Sequence, residues 1–197
     1  MRISYIIKFL LRPITNIITA IKFDSLISEK DWLREYGQNK RDRLGVIYHG
    51  LILDHYKRRM IEEGGMIGIG ANFLTPPILP HRYQGIFISS KASIGANSII
   101  FQQVTIGVAR FGKAENKAPR IGDNVFIGAG AKVLGDIMVG NNCRIGANAV
   151  VTKDVPDNSI VTGYNRIITK DQPLDNRYFV LRPDGWYYYN NCRLFKD

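Results

Sequence analysis

Cysteine is almost absent from this 197-residue chain, which has two, Cys143 and Cys192. Two thiols make no disulfide framework, so the fold must be held by its own core, and a reducing, cytoplasmic setting is expected. Histidine is scarce too: His49, His55 and His81 form no cluster with metal-ligand spacing, and no metal is expected. Acidic residues are in short supply, 17 against 27 Lys and Arg, giving a net charge of +10. That balance favours an acidic or phosphorylated partner. The excess is spread along the chain: 12 basic against 8 acidic in 1–64, 9 against 5 in 65–165, and 6 against 4 in 166–197. Such a spread, with no basic stripe or aromatic recognition motif, argues against nucleic acid. No apolar run approaches the ~20 residues of a membrane span. In Met1–Phe23 the Ile and Leu are broken by Lys8, Arg12 and Pro13, and no small-residue cleavage site follows. This segment reads as a basic amphipathic helix packing on its own oligomer, with the inner face of an anionic membrane as the alternative.

What the chain has in abundance is a period of six. Ile or Val recurs at Ile88, Ile94, Ile100 and Ile106, then at Ile121, Ile127, Val133, Val139, Ile145 and Val151. Gly follows directly at Gly95, Gly107, Gly122, Gly128, Gly140 and Gly146. Three residues after the aliphatic stand Asn97, Asn124, Gly130, Asp136, Asn142, Asn148 and Asp154, residue types that tolerate positive φ. Four residues after it come small or modest side chains such as Ala92, Ser98, Val104, Val125, Ala131, Cys143 and Ala149. Six matches neither the helical period of 3.6 nor the strand period of 2. It fits a short strand and a turn, repeated, with one aliphatic per repeat pointing inward.

On these residues Ile67–Arg166 resembles the hexapeptide-repeat acyltransferases. The resemblance implies a mainly β fold, a left-handed parallel β-helix with three hexapeptides per coil. It also implies a homotrimer, with acetyl-CoA bound as co-substrate along the groove between neighbouring β-helices. Ile69-Gly70-Ala71-Asn72 reads as a degenerate opening repeat. Three regions follow: an N-terminal helical region over 1–65, the β-helix over 66–168, and a C-terminal extension over 169–197. In the first, Ser28-Glu29-Lys30-Asp31 is a capping-box pattern, and Gly64-Gly65 closes a second helix from about Leu44. In the last, Arg182-Pro183-Asp184-Gly185 is a turn between two aromatic runs and predicts a hairpin.

The period breaks at two long loops, where function tends to sit on a rigid scaffold. One is an excursion within 108–120 that carries Arg110, Lys117 and Arg120. The other runs Thr75–Gly85, with three prolines and His81. His49 and His55 fall in a helical pattern and read as surface or packing residues.

The stretch His81-Arg82-Tyr83-Gln84-Gly85-Ile86-Phe87-Ile88 resembles the His-x-x-Gly-Ile-Val-Ile segment of serine acetyltransferases and their polysaccharide-modifying relatives, with one extra residue before the Gly. Ile100-Phe101-Gln102-Gln103-Val104-Thr105-Ile106-Gly107 matches the pattern as well. The resemblance implies that His81 is the general base of acetyl transfer to a hydroxyl. It further implies acetyl-CoA contacts from Gly107, Ala129, Gly130, Ala147, Thr152, Lys153 and Arg166, the small residues admitting the pantetheine arm and the cations meeting phosphates. Tyr83, Arg110 and Lys117 are candidates for the acceptor.

Serine acetyltransferases place an Asp before this His and an Arg-His-Pro in the long loop. Here Pro80 precedes His81, and the loop reads Lys117-Ala118-Pro119. Those departures, with the aromatic run Trp186-Tyr187-Tyr188-Tyr189, favour a saccharide acceptor in capsule or exopolysaccharide synthesis. Serine is the alternative acceptor, and a non-catalytic scaffold the second alternative.

Overall fold

The structure, a computed structural model, describes residues 61–109 and 117–197 apart from 63, 69 and 192, all within the unit Arg59–Asp197. The expectations for residues 1–60, including the membrane contact of 1–23, and for Arg110 lie outside the described residues. No helix among the described residues is long and apolar enough to cross a membrane.

Most six-residue repeats form a two- or three-residue strand and a turn, and three repeats return the chain to its starting face. The first coil holds β1 (Met66–Ile67), β2 (Asn72–Phe73) and a single-residue bridge at Ile78. The second holds β3 (Phe87–Ile88), β4 (Ser93–Ile94) and β5 (Ile99–Ile100). The third holds β6 (Thr105–Gly107), β7 (Arg120–Ile121) and β8 (Phe126–Ile127). The fourth holds β9 (Lys132–Leu134), β10 (Met138–Val139) and β11 (Arg144–Ile145), and the last β12 (Val150–Val151), a bridge at Val155 and β13 (Ser159–Thr162).

Strands of successive coils pair in parallel: β1-β3-β6-β9-β12 make the first face, β2-β4-β7-β10 the second, and β5-β8-β11-β13 most of the third. The chain visits the faces in strict rotation, which defines a three-faced parallel β-helix. The period-six aliphatics stack on one another: Ile88 pairs with Ile106, Ile106 with Val133, and Val133 with Val151. Those side chains are buried, as are Ile94, Ile121 and Val139 on the second face and Ile100, Ile127 and Ile145 on the third. Each such burial contributes roughly 1.5–3 kcal/mol.

The turns between the second and third faces are built by asparagine. Asn97, Asn124, Asn142 and Asn158 all have φ near +55°. Their side chains form a ladder, each Nδ2 donating to the next Oδ1 at 3.1–3.2 Å. Beside it, Asp123, Asn141 and Asp157 accept the backbone N–H of Ala96, Asp123 and Asn141 at 2.7–2.8 Å. Backbone donors at this edge, otherwise left unpaired by the turns, are satisfied by the coil above.

Beyond the last coil the expected pattern changes. The chain turns through Gly163 and Asn165, both at positive φ, into β14 (Arg166–Thr169), which pairs antiparallel with β13. The aromatic hairpin is present as β15 (Phe179–Arg182) and β16 (Gly185–Asn190), with Arg182 opposite Gly185. A third strand, β17 (Arg193–Lys196), which the sequence reading lacked, completes the sheet. This sheet docks where the asparagine ladder ends: Asn97 Nδ2 donates to Asn190 Oδ1 at 3.2 Å, and the Asn191 N–H donates to Asn97 Oδ1 at 2.6 Å.

The ladder predicts an order of stability. Asn142→Ala removes two amide bonds and puts Ala at φ +55°, which together cost about 2 kcal/mol. Asn142→Gly keeps the backbone conformation available and costs about half of that. Urea denaturation of the two variants beside the wild type measures both differences.

Candidate active site at the edge between the third and first faces

His81 lies on the loop that carries the chain from the third face back to the first. The loop is pinned on both sides: Ile78 N–H donates to Ser98 O at 2.8 Å before it, and Met66 N–H to Ile86 O at 2.7 Å after it. Between those anchors run two successive turns, closed by Arg82 N–H to Leu79 O and Ile86 N–H to Tyr83 O. Arg82 at φ +57° and Gly85 at φ +62° take up the extra residue between His81 and Gly85. The imidazole is exposed, and its ring lies against Phe101 with centroids 5.7 Å apart and planes tilted by 51°.

The same edge continues through the following coils. Two residues past the stacked Ile100, Ile127 and Ile145 stand Gln102, Ala129 and Ala147. The edge is bulky beside the His81 loop and low beyond it. Gly130 has φ +71°, and a Cβ there would run into Asn148 Oδ1. The low stretch thus has the shape needed by an extended thioester arm that must approach backbone closely. Gln102 Oε1 is a buried acceptor without a donor from the described residues. Lys132 Nζ donates to Gln103 O at 2.6 Å and adds a cation to this edge. Neither Gln102 nor Lys132 was singled out by sequence reasoning; the repeat pattern flags position but not partner.

The other predicted residues scatter. Gly107, Thr152, Lys153 and Lys117 lie at the edge between the first and second faces. A Cβ at Gly107 would meet only ordinary contacts. Thr152 is locked to Asn165, whose Oδ1 accepts its N–H and whose Nδ2 donates to its hydroxyl. Lys153 is exposed, and Arg166 sits on β14 opposite Thr162. Lys117 Nζ lies 3.4 Å from Asp136 and Arg120 Nη1 3.0 Å from it. Burial works to raise the Asp136 carboxyl, but hydrogen bonds from Arg120 and Lys117 outweigh it and hold the group below its ordinary value. Tyr83 is buried, which takes its ring out of the acceptor surface.

A cavity of about 240 Å³ lies elsewhere, between the third face and the C-terminal sheet, lined by Ile78, Ile99, Asn97, Arg177 and Tyr189 among others. Its polar walls are occupied by one another: Arg177 is paired with Asp175 and Asp197, and Asn97 belongs to the ladder. Among the described residues no cluster of His, Cys, Asp or Glu is placed to hold a metal.

Residues 118–153 match the bacterial transferase hexapeptide model of six repeats. The serine acetyltransferase of Mycobacterium tuberculosis is 45% identical over 102 residues, 51% of this chain and 44% of that protein. That of Synechococcus elongatus is 37% identical over 146 residues, 69% and 55% respectively. Among solved structures, serine acetyltransferase from Brucella abortus in complex with coenzyme A matches with a TM-score of 0.56 at 30% identity, covering 64% of this chain and 50% of that one. The chain spans about half the length of the curated relatives it matches. The solenoid is a left-handed β-helix of the hexapeptide-repeat transferase type. Among hexapeptide-repeat acetyltransferases, the chain is similar to those that carry the name serine acetyltransferase.

That finding overturns the expectation of a saccharide acceptor in capsule or exopolysaccharide synthesis. The structure gives the physical reason why its supports were weak. Ala118 and Pro119 are buried, so the residue types there report on packing and not on the acceptor. Several aromatic faces of the C-terminal sheet are used within it, although Trp186 stays exposed. Tyr178 stacks on Tyr189, Tyr188 on Phe195, and the Arg177 guanidinium lies 4.7–4.8 Å over Tyr188 and Phe179.

The same sheet makes a pH prediction. Hydrogen bonds from Arg177 hold the Asp175 carboxyl below its ordinary value, and Tyr187 and Lys196 do the same for Asp184. A carboxyl depressed in the folded state adds stability above its unfolded value, about 3.9, and loses it as pH falls through the folded one. Thermal stability followed by circular dichroism is therefore flat from about pH 7 to 5 and drops below about 4. Asp175→Asn softens the drop.

Proposed function

We propose that this protein transfers the acetyl group of acetyl-CoA to the hydroxyl of serine, with His81 as general base. The observation that carries the reading is the placement of His81: exposed, on a doubly pinned loop, at the head of an edge lined by Ala129, Gly130 and Ala147, in a chain whose relatives are serine acetyltransferases. In this reading the acetyl-CoA arm lies along the low edge with its thioester beside His81. His81 accepts the serine hydroxyl proton as the oxygen attacks the thioester carbonyl. The C–S bond breaks, and the CoA thiolate leaves and recovers that proton from the imidazolium. Transfer is direct in a ternary complex. Cys143, the described thiol, is buried in the solenoid, and burial raises it further from a reactive thiolate.

A homotrimer is part of the same proposal. Gly107, Thr152 and Lys153 lie on one edge, and Ala129, Gly130 and Ala147 on another. Two β-helices packed side by side bring an edge of each into one groove. Lys153 and Arg166 are then the cations available to the CoA phosphates.

Thiol release from acetyl-CoA tests the reading. L-serine should drive release in the wild type, and His81→Ala should lower kcat by about 10²–10⁴-fold with the fold unchanged by circular dichroism. Binding of CoA with no serine-dependent release overturns the acceptor. A second variant tests the edge: Ala147 is exposed, so Ala147→Trp folds normally and raises the KM for acetyl-CoA about tenfold or more while leaving the KM for serine unchanged.

A further inference from the structure

A histidine base works best when its ring is held by a second group. Among the described residues no carboxylate is hydrogen-bonded to His81, and the residue before it is Pro80. What the ring does have is Phe101, and Phe101 is the first of a series. Its ring meets Phe126 on the next coil, with centroids 5.1 Å apart. The Phe126 ring in turn lies under the Arg144 guanidinium of the following coil, 5.6 Å from the centroid. Phe126 and Arg144 are partners in the parallel register of the third face. Neighbouring coils lie about 4.7–4.9 Å apart, which lets side chains of one coil reach the next, and both ring pairs meet in the tilted geometry that aromatic rings favour.

The far end of the series is fixed. Arg144 Nε donates to Asn176 Oδ1 at 3.0 Å and Nη2 to Asp175 O at 2.7 Å. Asn176 is buried, and its Nδ2 donates to both Asn124 O and Cys143 O at 2.9 Å. Asn176 therefore ties the C-terminal segment to two successive coils and sets the plane of the guanidinium.

We infer that Arg144, held by Asn176, is a positioning residue for His81, acting through Phe126 and Phe101 in place of a carboxylate partner. The inference rests on the role proposed for His81. It makes the C-terminal extension part of the catalytic apparatus, although Asn176 touches neither substrate nor base.

The chain has three histidines, so the His81 Cε1–H resonance of ¹³C-histidine-labelled full-length protein is assigned by its loss in His81→Ala. In Arg144→Met that resonance shifts, and kcat for serine acetylation falls about tenfold with both KM values unchanged. Arg144→Lys keeps a cation but not the planar fork, gives a smaller fall, and carries the test should Arg144→Met not fold. Phe101→Leu shifts the resonance most. An unshifted His81 resonance with normal kcat in the Arg144 variants overturns the inference, and so does a raised KM with kcat unchanged. His81→Ala with full activity overturns the role of the base itself. An inactive His81→Ala beside normal Arg144 variants overturns the relay alone.

Discussion

Everything in the described unit depends on one packing rule: each inward aliphatic sits on the aliphatic of the coil before it. Ile88, Ile106, Val133 and Val151 form one such column, and the other two faces repeat it. A one-residue slip would turn a row of Ile and Val to solvent and the row of outward residues into the core. The register is therefore fixed on three faces at once. This rigidity keeps Gln102, Ala129 and Ala147 on one edge and holds β6 and β7, on either side of the break in the period, in register with their neighbours.

Backbone satisfaction is the second constraint. Tight corners every few residues leave polar groups that a globular core would pair in longer sheets. Here asparagine performs both tasks at one edge, entering left-handed φ and passing hydrogen bonds to the next coil. Gln103, Gly130 and Asn148 supply the left-handed residues at the edge beside His81, where no amide ladder forms among the described residues. An edge without a ladder is one where side chains remain available to a ligand.

The solenoid was legible because its signal is periodic and local. The ten aliphatics are inward, and Asn97, Asn124, Gly130, Asn142 and Asn148 take positive φ as their types suggest. Asp136 and Asp154 occupy the same repeat position but serve other ends: Asp136 meets Lys117 and Arg120, and Asp154 accepts the Met138 N–H. Composition marks a turn without saying which residue bends. Less legible were the features set by distant partners. Asn176 reaches across 52 residues to Asn124, and nothing in its neighbourhood marks it. The acceptor was misread for a related reason: Ala118, standing where the resemblance implies a loop histidine, counts against serine in the sequence, but it is buried and its type reports on packing. Phe101 stood within a recognised motif, but its contact with His81 depends on the loop fold.

The reversal at β14 has a consequence for the solenoid as a whole. A parallel stack of coils ends in unpaired strand edges, and in principle another coil, or another chain, could add to them. This chain ends differently on each face. Tyr164 bridges back to Val150 on the first, Val155 adds a single bridge to Val139 on the second, and β14 runs antiparallel beside β13 on the third. A further parallel coil would need all three edges in one register, and the three terminations present none. The β13–β14 reversal thus acts as a stop signal written in strand direction, limiting growth of the stack at this end of the helix axis.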